Sequence, residues 1–459
     1  MNSPSQRSFV LTLKQRWGNW LAVLWLLPAV ALSIRPFLWH VDFFRGTGPY
    51  FPVIRALPLV LAGALVLYLW FRKRGLWRIE PLVLVLPPVL LALVEQPAAT
   101  ILVLWAACAS YLLGCRLLRA LLQTDREGPI ACLAGLGVLI VLLAVAGKIG
   151  WYYRPVFFAL LVIVTLAGAP FWSNLLRACS APWNAWRGDE EMASSWVGLS
   201  VFATILFSGC TALMALTPVT AFDVLAYHFP LAAIYLRDHR LVMGRTLVQS
   251  FYPQGGEAMM TLGFALGGRP AAQLIMLVFF VLFLWIVLRI ARDCASSRAA
   301  AFSGVVAAAT MPFLHWTGSV PKNDLALAAF QAATLYAFLQ WQKGRGAGWI
   351  VAGGFFLGHS FGIKHVALFG AIPLGLMFVC RVPGVKALED SSPVCAGLRV
   401  LRFVLASAHV PDDRESYFSR GRRPSVSGRR PGTRHVRVVG RAALSVASLG
   451  THVRWSSGV

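Results

Sequence analysis

The stretch TPVTAFDVLAYHFPLAAIYLRDHRL, residues 217–241, carries the residue types best suited to chemistry. Asp223 is followed at four and five residues by Tyr227 and His228. If Asp223 opens a helix, the three side chains share nearly one face a turn apart. A carboxylate so placed takes a proton from a hydroxyl as general base, or holds a divalent ion. The plainer use of the same residue is an N-cap that satisfies backbone amides. His228 has two uses as well, contact with a phosphate or a hydrogen bond to a backbone carbonyl. Leu225, Phe229, Leu231, Ile234 and Leu236 supply an apolar underside for a helix lying in a membrane interface.

Three further segments hold polar groups among apolar ones. In SFYPQGGEAMM, residues 250–260, Tyr252, Gln254 and Glu257 cluster around Pro253, Gly255 and Gly256, a turn signal. Glu257 then precedes an apolar stretch, where it either joins the cluster or complements a helix dipole. Pro321, Lys322, Asn323 and Asp324 form a second turn, and Asp324 opens another apolar segment, again with capping as the plainer use. Lys364 and His365 separate two apolar helices. A lysine at that depth is a candidate point charge for a lipid-linked phosphate. The nearby GHSFGIK lacks the GxxxxGK[ST] spacing of a phosphate loop. Gly354, Gly358 and Gly362 at four-residue spacing instead form a ridge for close helix packing.

The elements that must position these residues follow from composition. Of 459 residues, 58% are hydrophobic and 13% charged, with a mean hydropathy of +0.67. Soluble domains run near about 25% charged, so an ordinary cytosolic enzyme, a disordered chain and a disulfide scaffold are excluded. Apolar runs of helical span length, not period-two alternation, exclude an outer-membrane barrel. The reading is an all-α polytopic membrane protein of about 12 spans, at 17–34, 56–71, 79–94, 98–115, 129–147, 155–172, 195–216, 271–290, 299–316, 325–341, 349–363 and 366–380. Several are short for a bilayer core and so are candidates for tilted or broken spans. The basic start, MNSPSQRSFVLTLKQRWGNW, is followed by no small-residue cleavage site and reads as a cytoplasmic tail.

The net charge of +24 is distributed as a membrane protein distributes it. With the N-terminus cytoplasmic, alternate loops collect Arg72, Lys73, Arg74 and Arg78; Arg116, Arg119 and Arg126; Arg177 and Arg187; Arg289, Arg292 and Arg298; and Lys343 and Arg345. That is the positive-inside pattern. The opposite side receives 35–55, 148–154, the long loop 217–270 with its interfacial helices, and the turn 317–324, and hence the chemical residues named above. Lys364 falls there too, against the charge rule. Three regions follow: N-terminal helices 1–194, a core 195–380, and 381–459. The last carries 14 Lys/Arg against 5 Asp/Glu without helical or strand period. It reads as a basic disordered tail drawn to anionic lipid, or as an out-of-frame translation of a GC-rich gene; a nucleic-acid role lacks interleaved aromatics. The eight cysteines are scattered, without a CxxC pair, and suit packing rather than metal or redox work.

Four blocks in order, FDVLAYHFPLAAIYLRDHRL, YPQGGEAMMTLGFALGG, NDLALAAFQAATLYAFL and GFFLGHSFGIKHVAL, resemble the GT-C superfamily of bacterial membrane glycosyltransferases. These include the dolichyl-phosphate-mannose-protein mannosyltransferase-like enzymes. The resemblance covers roughly residues 195–380. It implies a hexosyl transfer from a polyprenyl-phosphate sugar to a lipid, glycan or protein acceptor on the extracytoplasmic face of the inner membrane. Asp223 would be the catalytic carboxylate, flanked by Tyr227 and His228. Tyr252, Gln254 and Glu257 would line the cleft, Lys322 and Asp324 would contact substrate, and Lys364 would face the donor phosphate. A divalent ion would be the one cofactor, with no ligand set to name and no nucleic-acid partner. Two departures stand: about seven spans precede the acidic loop, which in many members follows the first helix, and the chain turns into the basic tail where relatives continue with helices. The alternatives are a flippase or transporter of lipid-linked glycans, which would spread ionisable groups through the midplane and pair internal repeats, and a truncated, non-catalytic remnant.

Overall fold

The computed structural model describes residues 63, 65–74, 80–123, 128–178, 180, 195–243, 247–295 and 297–379. They fall in the first of two units, Met1–Val410; the second, Pro411–Val459, lies outside the described residues, as do the predicted span 17–34 and the tail 381–459. The described residues are helical, with no strand among them. In chain order the helices are α1 Glu80–Glu95, α2 Pro97–Leu122, α3 Gly128–Lys148, α4 Arg154–Gly168, α5 Ser195–Met214, α6 Phe229–Arg237, α7 Gly255–Cys294, α8 Arg298–Ala309, α9 Pro312–Ser319, α10 Asp324–Gln342, α11 Gly348–Ile363 and α12 Ala367–Val379.

Five helices are long and apolar enough to cross a membrane: α2, α3, α4 with its continuation to Ala178, α5 and α7. A sixth arises if α8 and α9 count as one span. The expected twelve are therefore matched by five or six among the described residues. The predicted span 299–316 is two helices bent by 61°. Pro312 is the cause: it offers no N–H, and it holds Met311 in an extended conformation (φ −66°, ψ 119°), which ends α8. The predicted span 155–172 runs on through a 3₁₀ turn, Ala169–Phe171, to Ala178.

Small residues let the helices approach closely. A Cβ added to Gly114 would lie 1.7 Å from the Ala131 carbonyl, and one added to Gly135 would lie 1.7 Å from that of Ser110. Ser110 and Gly114 on α2 thus mesh with Ala131 and Gly135 on α3, each pair one turn apart. On α11, Gly358 is buried and the Gly362 carbonyl abuts Gly255, so the expected glycine ridge does pack. Large apolar side chains facing outward, among them Val94, Ile163 and Phe369, suit lipid rather than water.

The loop expected at 217–270 is more helical and more buried than its composition implies. Helix α6 sits in it, with Phe229, Leu231 and Tyr235 buried and the Phe229 ring 5.8 Å from Phe264 of α7. The apolar face expected to meet the interface is therefore largely turned inward, and Leu225 is exposed rather than part of it. The 40-residue α7 breaks at Gly268 (φ 72°, ψ −165°). Gly268 takes a positive-φ, extended-ψ conformation that is essentially open to glycine alone and breaks the helix, and Pro270 starts the next, having no N–H to lose. The N-terminal arm, 255–267, folds back on the C-terminal arm, 269–294. A Cβ on Gly263 would fall 2.7 Å from the Ala272 nitrogen, whereas residues nine apart in a continuous helix are about 13 Å apart. The C-terminal arm is the span expected at 271–290.

Helix α10 separates two charged regions. Its first residue is Asp324, and Lys343 follows its last turn. Lys343 pairs with Asp293 at the far end of α7, 2.9 Å away. Nineteen helical residues put about 28 Å between the two ends.

Candidate active site

Tyr227 and His228 lie on a π-helical turn, Val224–His228, that leads into α6, and Asp223 immediately precedes it. Pro230 accounts for the widening: it cannot donate to the Ala226 carbonyl, and its ring would press on that group. The turn closes instead from the Phe229 N–H to the Val224 carbonyl. One extra residue per turn sends both Tyr227 and His228 inward. His228 is fully buried, and its ring lies 4.3 Å from that of Tyr227. Such single π turns recur at functional sites.

Asp223 caps nothing with its side chain. It forms an ion pair with Lys322, whose ammonium also lies 4.3 Å from the centre of the Trp316 ring. Lys322 is buried in the turn between α9 and α10, and a buried lysine needs such partners. The hydrogen bond from Lys322, then the charges of Lys322, His228 and Lys364, hold the Asp223 carboxyl below its ordinary range. Asp324 is the first residue of α10 rather than its N-cap, which is Asn323, and it pairs with Lys364, an extended residue just after α11. The N-cap use weighed for both aspartates is thus replaced by lysine pairing.

Glu257, in the first turn of α7, is buried. Its Oε1 accepts a hydrogen bond from Asn323 Nδ2 (3.0 Å) and lies 3.1 Å from His228 Nδ1. Gln254 is spent on the loop itself: its Oε1 accepts from the Tyr235 hydroxyl (2.7 Å), and its Nε2 donates to the carbonyls of Gln249 (2.9 Å) and Tyr252 (2.7 Å). Tyr252 is exposed, edge-on to His365 at 5.1 Å.

Tyr227 lies at the electrostatic centre. Burial, then the charges of Asp223, Glu257 and Asp324, push its phenol up to about 12. Its hydroxyl therefore stays protonated at neutral pH and is able to donate a hydrogen bond.

The structure therefore gathers the candidate residues from the π turn, the α9–α10 turn, the head of α7 and the α11–α12 break. Tyr252 and Gln254 stand at the edge of this group. Asn323 and Trp316 belong to it without having been expected. Asn323 was visible only as the spacer between two charges, and nothing in the sequence around Trp316 marks it. No three His, Cys, Asp or Glu side chains among the described residues come together as ligands of one ion.

Residues 253–410 match the family model described as dolichyl-phosphate-mannose-protein mannosyltransferase. The match takes in Gln254, Glu257, Lys322, Asp324 and Lys364, and begins after Asp223, Tyr227, His228 and Tyr252. No curated protein and no solved structure matches the chain. The matched segment and the helical, membrane-suited architecture around it support a GT-C-like membrane glycosyltransferase of the mannosyltransferase type.

Proposed function

We propose that the chain transfers a hexosyl group from a polyprenyl-phosphate donor to an acceptor hydroxyl at the extracytoplasmic face of a bacterial inner membrane. The observation that carries the reading is the convergence of two Asp–Lys pairs, Asp223–Lys322 and Asp324–Lys364, around Tyr227 at one end of α10. The family match supports the reaction class. The sidedness rests on the charge pattern, with Lys343 and Arg345 beyond the other end of α10.

The transfer would run as follows. The acceptor oxygen forms a bond to the anomeric carbon while the bond from that carbon to the phosphate oxygen breaks, with inversion. The electron pair leaves on the phosphate, and the hydroxyl proton goes to Asp223. A lipid phosphate is already a fair leaving group, so the protein chiefly positions and balances charge. Asp223 is ionised but, while Lys322 holds it, a weak base. An arriving phosphate competes for Lys322 and Lys364. Each lysine that turns to the phosphate frees a carboxylate, so donor binding itself makes Asp223 more basic. Tyr227, protonated throughout, donates a hydrogen bond to substrate oxygen.

The test is transfer of radiolabelled sugar from synthetic polyprenyl-phosphate donors to membrane extract, by the full chain in lipid. Asp223→Asn should lose about 10²–10⁴-fold in rate with folding intact, and Lys364→Gln should raise the donor KM. Equal transfer by wild type and Asp223→Asn would remove Asp223 from the reaction. Absence of transfer by wild type across the polyprenyl-phosphate sugars would overturn the reading.

A further inference from the structure

The resemblance implied that Glu257 lines the cleft, but its position suits another task. At 4% exposure, it offers almost no surface to a substrate. Its Oε1 instead lies between two segments. On one side is His228, the last residue of the π turn that carries Tyr227 and follows Asp223. On the other is Asn323, which stands between Lys322 and Asp324. His228 and Asn323 are themselves 1% and 3% exposed. The two segments joined at this oxygen are those whose side chains meet in the Asp223–Lys322 pair.

The glycines beside it explain how a helix end fits there. A Cβ on Gly256 would lie 2.5 Å from the Asn323 Cβ, and one on Gly255 would lie 2.8 Å from the Gly362 carbonyl, two residues before Lys364. Only a bare backbone lets the first turn of α7 touch both the α9–α10 turn and the end of α11. The head of α7 therefore abuts all three segments that carry the site charges. The second oxygen, Oε2, is buried without a hydrogen-bond partner. A carboxylate left half-satisfied in the interior is costly, so packing stability alone is a poor reason for its presence.

We infer that Glu257 is a positioning residue: through His228 and Asn323 it sets the spacing of the Asp223–Lys322 and Asp324–Lys364 pairs, and it does not touch substrate. This deepens the transferase reading and rests on it for the kinetic consequence alone.

A zero-length carbodiimide cross-link between paired carboxylate and amine reports the geometry without any turnover. In the full chain in lipid, peptide mass spectrometry should find Asp223–Lys322 and Asp324–Lys364 cross-links. Their yields should fall at least about fivefold in Glu257→Ala. Asn323→Ala, which leaves the His228–Glu257 contact in place, should lower both yields as well and covers the case in which Glu257→Ala fails to fold. Glu257→Gln, which keeps an acceptor oxygen, should stay within about twofold of wild type. Where transfer is measured, Glu257→Ala should lower kcat, with Glu257→Gln restoring most of the rate. Wild-type cross-link yields in both alanine variants, or a change confined to KM, would overturn the inference. A chain that shows the expected cross-link pattern but transfers no sugar would instead refute the transferase reading and leave the positioning role standing.

Discussion

Asp223 and Lys322 lie 99 residues apart in sequence and form an ion pair. The pairing makes a prediction about acid. The carboxyl of Asp223 is held below its ordinary value, first by the hydrogen bond from Lys322 and then by neighbouring positive charge. A depressed folded-state pKa contributes stability above the unfolded value, and that contribution is lost as pH falls through the folded one. For an activity that needs the ionised form, the acid limb of the kcat/KM profile, which reports the donor-free enzyme in which Lys322 still holds Asp223, should lie below the usual aspartate range. Lys322→Gln should move that limb upward, and rate–pH profiles of the two proteins measure the shift. An unmoved limb would mean that Lys322 does not set the state of Asp223. Because the Asp223 side chain is 40% exposed, the effect on global stability should be small.

Tyr227 gives a second prediction, of opposite sign. Burial and three nearby carboxylates push its phenol up to about 12, so no basic limb from tyrosine should appear below pH 10. Tyr227→Phe keeps the ring against His228 and removes one hydrogen-bond donor. The rate should fall about tenfold, the order of one hydrogen bond to a charged group, with thermal stability nearly unchanged. A rate equal to wild type would reduce Tyr227 to a packing residue.

Much of this arrangement is legible in the sequence because its signals are local. Apolar runs mark α3, α5, α10 and α11 within a few residues and the start of α2, which runs seven residues past its expected end, and the turn residues around Gln254 and Lys322 mark the polar clusters. Three features are not legible, one because the deciding partners are distant and two because a local proline resets the helix. The break in 299–316 needed Pro312 to be read as a helix start within an apolar run. The partners of Asp223 and Asp324 are lysines on other segments, so capping was an equally good reading of either residue alone. Leu225 is grouped by residue type with the apolar underside of α6, but it lies in the π turn before that helix and is exposed.

The glycines at the head of α7 yield a stability prediction. Glycine to alanine in an ordinary helix is favourable by up to about 1 kcal/mol. At Gly256 the added Cβ would meet the Asn323 Cβ at 2.5 Å, a neighbour that cannot swing away. Gly256→Ala should therefore destabilise by about 1–3 kcal/mol and disturb the α9–α10 turn. At Gly209 the nearest atoms are 3.8 Å from the Cβ position, and Gly209→Ala should be neutral or stabilising. Thermal unfolding of both variants in the same detergent makes the comparison, and equal midpoints would contradict the close approach.

The N-terminal helices, whose purpose the sequence leaves open, hold the segment that follows α6. The Tyr152 N–H donates to the His239 carbonyl (2.9 Å), the Leu241 N–H donates to the Gly147 carbonyl (3.0 Å), and the His239 ring stacks on Tyr153 at 4.0 Å. The segment after α6 is thus sewn to the α3–α4 turn. His239 adopts φ 56° to do so, a left-handed conformation that costs a non-glycine residue about 1–2 kcal/mol. His239→Ala should lose the stacking and keep the backbone cost, and so should be destabilised. His239→Gly should lose the same stacking but remove the backbone cost, and so should be the more stable of the two by about 1 kcal/mol. Thermal unfolding in lipid or detergent ranks them. If alanine proves at least as stable as glycine, the left-handed turn is not what holds the loop. If the glycine variant matches wild type in stability yet transfers sugar more slowly, the ring stack serves to aim the loop rather than to hold the fold together.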